Sequence, residues 1–169
     1  MEKRDLYDKD RNRVGITINK GDDIPDGYYI IVVMIIMQNS NGAFLIQKRS
    51  TLKGGKWAFT GGHPKAGESS LEGIISEVRE ELGIDISLED IILMKSNVFD
   101  KVIGDIYYVN MEYDFDSFSL QKEEVSDVML SSYDDILSMI ENDEFFKSHG
   151  LVFKDIINDN HCKKIIKMV

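Results

Sequence analysis

The apolar residues of this chain follow two periods, one typical of β-strands and one typical of helices. Residues 28–38 are rich in isoleucine and valine and precede the polar turn Asn39-Ser40-Asn41-Gly42, which predicts a buried strand leading into a hairpin. The same reasoning predicts strands at residues 43–49, 57–60, 91–99, 106–113 and 125–130, and two short strands within residues 6–18. Helices are predicted over residues 133–140 and within residues 145–158.

The clearest helix signal lies between Ser69 and Gly83. Ser69 and Glu72 fit a capping box, in which two side chains satisfy free backbone donors at a helix start, and Gly83 suits a helix end. Apolar residues recur at helical spacing between them, at Leu71, Ile74, Ile75, Val78 and Leu82. Strands with one internal and one or two terminal helices predict a mixed α/β sandwich, and no linker or repeat divides residues 1–169, so one domain is predicted.

The composition fits a globular protein and limits the classes of partner. The 169 residues are 43% hydrophobic and 30% charged, with a formal net charge of -10 and a pI near 4.7. An acidic surface disfavours nucleic-acid polymers and anionic membranes, although a bound cation can still admit a small anionic substrate. The first residues lack the apolar core of a signal peptide, and the longest apolar run is shorter than the about 20 residues of a membrane helix. A cytoplasmic protein is therefore expected.

Three glutamates of the predicted helix project from one side. Glu80 and Glu81 follow Glu77 by three and four residues, which are neighbouring positions on a helix surface. Converging carboxylates suit a hard divalent cation, and magnesium or manganese fits an all-oxygen site. The other interpretation is a solvated face, because glutamates on helices usually meet water.

The wider spacing favours the metal site. Five residues separate Gly62 from Glu68, and seven more lead to the run at residues 76–84, Ser-Glu-Val-Arg-Glu-Glu-Leu-Gly-Ile. This pattern resembles the signature of the Nudix hydrolase family. The matching positions are Gly62, Glu68, Glu77, Val78, Glu80, Glu81, Gly83 and Ile84. The resemblance implies a Nudix-type α/β/α sandwich with a mixed sheet. It also implies metal-dependent cleavage of a diphosphate bond, in a nucleoside-diphosphate-linked or related small molecule, by water attack on phosphorus.

The same resemblance implies roles for individual residues. The metal, Mg²⁺ or Mn²⁺, would be held by Glu77, Glu80, Glu81 and the backbone carbonyl of Gly61. The resemblance gives Glu68 a supporting role or that of a base. A glutamate on a later loop serves as ligand or base in several family members, and residues 123–124 lie where it would fall. Glu124, with Glu68 and Glu80, is thus a candidate catalytic residue, and surface charge is the other interpretation of residues 123–124.

Four residues near the motif are candidates for substrate binding. Lys48 and Arg49 end a predicted strand that leads to the site, and they either hold the terminal phosphate or are solvated charges. Gly62 and His63 lie in the loop before the helix, where His63 either contacts a metal or phosphate or is structural.

Two departures keep other functions open. Ser76 stands where the family pattern has an arginine that holds a neighbouring glutamate, so a nucleotide-binding module without turnover is one alternative. The segment Gly61-Gly62-His63-Pro64 is also similar to isopentenyl-diphosphate isomerases, which share the fold. Gly61, however, stands where those enzymes have a catalytic cysteine, and further metal-binding histidines are missing from the N-terminal third. The substrate stays open among nucleoside triphosphates, nucleotide sugars and isoprenoid diphosphates, and a homodimer is also left open.

Overall fold

The computed structural model describes residues 1–167 as a mixed sheet covered by helices, preceded by a separate hairpin. The strands are β1 (Lys3–Tyr7), β2 (Arg13–Asn19), β3 (Ile30–Gln38), β4 (Phe44–Arg49), β5 (Trp57–Ala58), β6 (Thr60–Gly62), β7 (Ile92–Phe99), β8 (Val102–Asn110) and β9 (Val125–Ser131). The α-helices are α1 (Ser70–Leu82), α2 (Tyr133–Glu141) and α3 (Lys147–Asn158). Within residues 1–167, no helix is both long enough and apolar enough to cross a bilayer. The single domain over residues 1–169 stays a prediction, and its last two residues lie outside the described part.

The main sheet divides between β3 and β4. Its order is β5-β4-β3-β8-β7, with β6 added to β3 and β9 added to β4. Strand β3 pairs in parallel with β8 along its whole length, but it pairs with β4 only at Met37 and Gln38. Beyond the hairpin β3 continues with β6, whereas β4 continues with β5 and β9. The two halves of the sheet therefore separate beyond this short pairing.

Two apolar cores lie on the two faces of the sheet. Successive side chains of a strand point to opposite faces, so β3 contributes Val33 and Ile35 to one core and Met34 and Ile36 to the other. Helix α1 covers the first face, and α2 and α3 cover the second. This arrangement confirms the predicted α/β/α sandwich with a mixed sheet.

Helix α1 begins and ends where the sequence predicts. The Ser69 hydroxyl accepts from the backbone N–H of Glu72, and the Glu72 carboxylate accepts from the backbone N–H of Ser69. Gly83 ends the helix with φ 70°, a left-handed conformation that suits glycine. Its inner residues Ile74, Val78 and Leu82 are buried, which fixes the side from which the acidic residues project.

The predicted strand boundaries differ from the observed ones at several places: the N-terminal strands, predicted within residues 6–18, begin at Lys3 and end at Asn19. The strand predicted at residues 57–60 is two strands, because the chain changes partner from β4 to β3 at Phe59. The strand predicted at residues 106–113 is β8, which starts at Val102 and ends at Asn110. Gly104 interrupts the apolar run in the sequence, but in the structure the ladder passes through it, pairing it with Val32 and Asn97.

Strands β1 and β2 form a hairpin that is tied to the rest of the chain mainly by side chains and single backbone bonds. The side chain of Arg11, at its turn, donates to both oxygens of Asp105 at 2.8 and 2.6 Å. The backbone N–H of Gly67 donates to Asp5 Oδ2 at 2.8 Å, and Tyr7 pairs with Tyr29 before β3. These links hold the hairpin against the loop that leads into α1.

Candidate active site

A cleft of about 540 Å³ lies between α1, strands β3, β6 and β8, and the start of α3. The structure brings eight of the ten predicted site residues to its wall: Arg49, Gly61, Gly62, His63, Glu77, Glu80, Glu81 and Glu124. Lys48 and Glu68 do not line it. The motif residues therefore meet in one cavity that is large enough for a small molecule.

Glu77 and Glu81 are the least exposed of the three glutamates that α1 presents to the cleft. Glu77 Oε1 accepts the backbone N–H of His63 at 3.1 Å, and burial raises the pKa of Glu77 to about 7. Burial likewise raises the pKa of Glu81 to about 7, and the charge of Glu77 adds to that rise. A nearby cation would favour the charged form of both acids, because it offsets their burial and the neighbouring negative charge.

A short hydrogen-bond chain orients Glu81. Thr60 Oγ1 donates to Gln47 Oε1 at 2.7 Å, which leaves the Gln47 amide nitrogen to donate to Glu81 Oε2 at 2.6 Å. Gln47 and Thr60 are buried and lie on β4 and β6, which belong to different halves of the divided sheet. The carboxylate is thus fixed to both halves of the sheet.

Glycines are required at the start of this loop. A Cβ at Gly62 would overlap the carboxylate of Glu77, and a Cβ at Gly61 would overlap the carbonyl oxygen of Val33 and lie 3.1 Å from Met34 Cα. The cysteine that the isomerases carry at the position of Gly61 therefore has no room unless the backbone moves. The isomerase alternative thus lacks both its thiol and the space for one.

Glu80 is exposed and turned toward a lysine. Its carboxylate pairs with the ammonium group of Lys65, in the loop before α1. In this arrangement residues 1–167 contain no group of three acidic, histidine or cysteine side chains placed to hold one ion. Glu77 and Glu81 face the same cleft, and Glu80 would have to leave Lys65 to join them.

Glu68 is held next to α1, outside the cleft. Ser76 Oγ donates to Glu68 Oε1 at 2.8 Å, and the backbone N–H of Lys65 donates to Glu68 Oε2 at 2.8 Å. Serine thus supplies a hydrogen bond where the family pattern has an arginine. Arg79, the arginine nearest along the helix, instead pairs with Asp85 on the solvent side. A supporting role for Glu68 and its role as a base both stay predictions, and Glu68 does not line the cleft.

Lys48 does not line the cleft, because neighbouring strand residues point to opposite sides and Arg49 faces it instead. Arg49 lines the cleft, where its guanidinium lies 4.1 Å from the ring centroid of Phe146. Lys48 is exposed, and its Nζ lies 5.8 Å from the ring centroid of Trp57, which packs against the core.

Of the two later glutamates, Glu124 faces the cleft. Its carboxylate pairs with Lys53 Nζ at 2.9 Å, and its charge reaches Glu81. Glu123 is exposed and does not line the cleft, while its backbone carbonyl accepts from Ser50 Oγ at 2.7 Å. The structure thereby favours Glu124 over Glu123.

Several residues that line the cleft or bind its carboxylates were not predicted from the sequence. Gln47 carried a detectable signal, because it is a polar residue within a strand that is otherwise apolar up to that point. Glu2 and Lys20, at the end of the N-terminal hairpin, and His149, on α3, gave no local signal. Burial lowers the pKa of both His63 and His149 to about 4, so both imidazoles are neutral at pH 7.

The fold and the sequence define this chain as a Nudix-type hydrolase. Residues 28–152 match the family model described as NUDIX domain, so the chain belongs to the Nudix family. An uncharacterized Nudix hydrolase of Listeria monocytogenes is 30% identical over 149 residues, which cover 86% of this chain and 88% of that protein. These matches confirm the prediction of a Nudix-type pyrophosphohydrolase.

Solved structures agree on the fold. The crystal structure of DR0079 from Deinococcus radiodurans superposes with a TM-score of 0.68 at 20% identity and covers 85% of this chain and 91% of that one. The MutT protein of Methanosarcina mazei gives a TM-score of 0.60 at 27% identity, covering 82% and 96% of the two chains.

Proposed function

We propose that this chain hydrolyses a diphosphate bond in a nucleoside-diphosphate-linked or related small molecule, with Mg²⁺ or Mn²⁺ as cofactor. The observation that carries the proposal is the buried pair of Glu77 and Glu81 in one cleft. Burial raises both pKa values to about 7, and among residues 1–167 no lysine or arginine forms an ion pair with either carboxylate.

The donor set suits a hard divalent cation. Glu77 and Glu81 would hold it, with the backbone carbonyl of Gly61 beside them and Glu80 once it leaves Lys65. When bound, such an ion neutralises phosphate oxygens and lowers the pKa of a coordinated water. All of these donor atoms are oxygens, which favours magnesium or manganese over softer metals.

The remaining wall residues suit the other requirements of the reaction. Glu80 and Glu124 are the two candidates for the base that takes the proton of the attacking water, because both carboxylates line the cleft next to the buried pair. Arg49 is the candidate for the terminal phosphate. Its Nε is engaged by the Lys53 carbonyl at 3.0 Å, which leaves the terminal nitrogens for an anion.

The test is release of phosphate and pyrophosphate over a panel of nucleoside triphosphates, nucleotide sugars and isoprenoid diphosphates. Wild type, Glu81→Gln and the matched control Glu141→Gln, an exposed position on α2, are compared with Mg²⁺ and with Mn²⁺. We expect turnover in wild type and control, and loss of at least about a hundredfold in Glu81→Gln. In ¹⁸O-water the label should enter a phosphate product, as attack on phosphorus requires. If the folded protein turns over none of the compounds, the proposal is overturned.

A nucleotide-binding module without turnover is the second candidate, since Ser76 departs from the family pattern. Thermal unfolding distinguishes the two, because a ligand that binds only the folded state raises Tm. A metal-dependent enzyme should show a rise in Tm at millimolar Mg²⁺ that Glu81→Gln abolishes. If the Tm of the wild-type protein does not change when Mg²⁺ is added, the nucleotide-binding module is favoured.

A further inference from the structure

The N-terminal hairpin lies outside the residues that match the family model, yet it forms part of the cleft. The match begins at residue 28, whereas β1 and β2 end at Asn19. Glu2 and Lys20, which flank the open end of this hairpin, line the cleft together with the motif residues. The hairpin therefore contributes side chains to a site that the sequence motif alone does not define.

The hairpin is firmly placed beside the motif. Besides the links through Arg11 and Asp5, the backbone N–H of Ala66 donates to the carbonyl of Lys3 at 2.8 Å, and Arg13 donates to the carbonyl of Glu68. Two of its strand residues are thus bonded directly to the loop that carries Glu68. Lys20 therefore has a fixed base from which its side chain reaches the cleft.

Positive charge reaches the buried carboxylates from two different walls. The charge of Arg49, on β4, lowers the pKa of Glu81. The charge of Lys20, on the hairpin, lowers the pKa of Glu77 and that of His63. Lys53, the other lysine of the wall, is already paired with Glu124. Lys20 has only a long contact of 3.6 Å with Glu2, and its side chain is 49% exposed, so its ammonium group can turn toward a ligand.

A neighbouring arginine adds to the charge on the hairpin side. The charge of Arg4, on β1, lowers the pKa of His63, and the charge of Glu77 in turn raises the pKa of Arg4. Arg4 Nε is buried without a hydrogen-bond partner among residues 1–167. A buried guanidinium nitrogen with no acceptor favours an anion nearby. Arg4 does not line the cleft, so it contributes positive charge near His63 and makes no contact with the ligand.

We propose that Lys20 is a substrate-binding residue that holds one phosphoryl group of the diphosphate, while Arg49, on β4, holds the other. A diphosphate carries negative charge at both ends, and cations on two walls would grip both ends with the buried carboxylates between them. This inference rests on the proposed function for the nature of the ligand. It adds a residue from outside the family-matched region.

The experiment measures binding of inorganic pyrophosphate in the presence of Mg²⁺ by titration calorimetry. The variants are Lys20→Met, Lys20→Arg and the control Lys9→Met, an exposed lysine at the turn of the same hairpin. Loss of a charge-assisted contact should raise the Kd of Lys20→Met about tenfold or more. Lys20→Arg should recover most of the affinity, and Lys9→Met should stay within about twofold of wild type.

Two further readings separate a binding role from a structural one. The salt dependence of log Kd should be shallower in Lys20→Met, because one ion contact is gone. On any substrate that the enzyme turns over, Lys20→Met should raise KM far more than it lowers kcat. A Kd within twofold of wild type, or a Kd that rises equally in Lys9→Met, would overturn the role of Lys20.

The outcomes also separate this inference from the proposed function. If wild type turns over a substrate and Lys20→Met binds pyrophosphate normally, the hydrolase stands and the role of Lys20 fails. If no compound is turned over but pyrophosphate binding depends on Lys20, the phosphate site stands and the proposed hydrolysis fails.

Discussion

Ser76 Oγ donates a 2.8 Å hydrogen bond to Glu68 Oε1, so α1 holds the preceding loop at the position where the family pattern has an arginine. The second oxygen of Glu68 is taken by the backbone N–H of Lys65, and the Lys65 side chain pairs with Glu80. Serine and lysine together thus secure the loop and one acidic residue of the helix. The departure at Ser76 changes the kind of contact without removing it.

The Ser76 contact predicts a graded response to substitution. Ser76→Ala should lower kcat/KM roughly tenfold, because a hydrogen bond to a charged group contributes about 1.5–3 kcal/mol. Ser76→Thr keeps a hydroxyl and should retain most activity. Steady-state kinetics check this, with Ser138→Ala on the exposed face of α2 as the control. Equal rates in Ser76→Ala and wild type would show that Glu68 needs no support from the helix.

The close approach of Gly62 to Glu77 predicts sensitivity to a single methyl group. In Gly62→Ala the new Cβ would overlap the Glu77 carboxylate, so both metal affinity and activity should fall, with about 1–3 kcal/mol lost from the free energy of unfolding. Gly104→Ala is the matched control for stability, because its Cβ would meet only the Asn97 carbonyl at 3.8 Å. Denaturant unfolding compares the two. Similar losses at both positions would contradict the steric argument.

The raised pKa values of Glu77 and Glu81 predict that the metal-free protein loses stability as pH rises. Between their ordinary pKa of 4.5 and about 7, the folded state binds more protons than the unfolded state. The free energy of unfolding therefore decreases with pH through this window and levels off above it. Thermal unfolding of wild type should show the decrease relative to the double variant Glu77→Gln, Glu81→Gln.

Metal should reverse this loss. Millimolar Mg²⁺ should raise the Tm of wild type more at pH 8 than at pH 5, because protons compete with the ion for the same carboxylates. The double variant should show little response at either pH. If the difference in Tm between metal-free wild type and the double variant stays constant from pH 5 to pH 8, the two carboxylates are ionised across the whole range.

The link between Arg11 and Asp105 predicts a large effect on stability from a residue at a hairpin turn. Asp105 is fully buried, so Arg11→Met would leave its charge without the bidentate partner, at a cost of about 3 kcal/mol. The control Arg79→Met breaks an exposed pair with Asp85 and should cost about 0–1 kcal/mol. Urea unfolding measures both. Equal losses would show that the hydrogen bonds from the hydroxyl groups of Ser70 and Ser96 are sufficient to stabilise the Asp105 charge.

Local signals explain why much of the fold and part of the site were predictable from the sequence. The capping box, the apolar stripe and Gly83 all act within α1, so they define that helix without help from the rest of the chain. The fixed spacing from Gly62 to Glu81 likewise places the acidic residues next to the glycine loop. These predictions depend on contacts between residues that are close along the chain.

The unpredicted features depend on contacts that only folding creates. Gln47 reaches Glu81 because the sheet divides, and the exposed Lys20 reaches the cleft because the hairpin folds back onto the loop before α1. Similarly, the sequence did not decide between Lys48 and Arg49, because the side that each faces follows from the orientation of β4 in the sheet. Such pairings are separated by tens of residues, where sequence spacing carries no direct information.

The position of the hairpin has a consequence for how such an enzyme could diversify. Its links to the rest of the chain run through Arg11, Asp5, Tyr7 and single backbone bonds, and none of them passes through the Glu77 and Glu81 carboxylates. The side chains at the open end of the hairpin can therefore vary while α1 keeps the positions of these carboxylates, and such changes would act on Glu77 through charge alone. Ligand preference would then depend on the hairpin and reactivity on α1, so that the two properties can change separately during evolution.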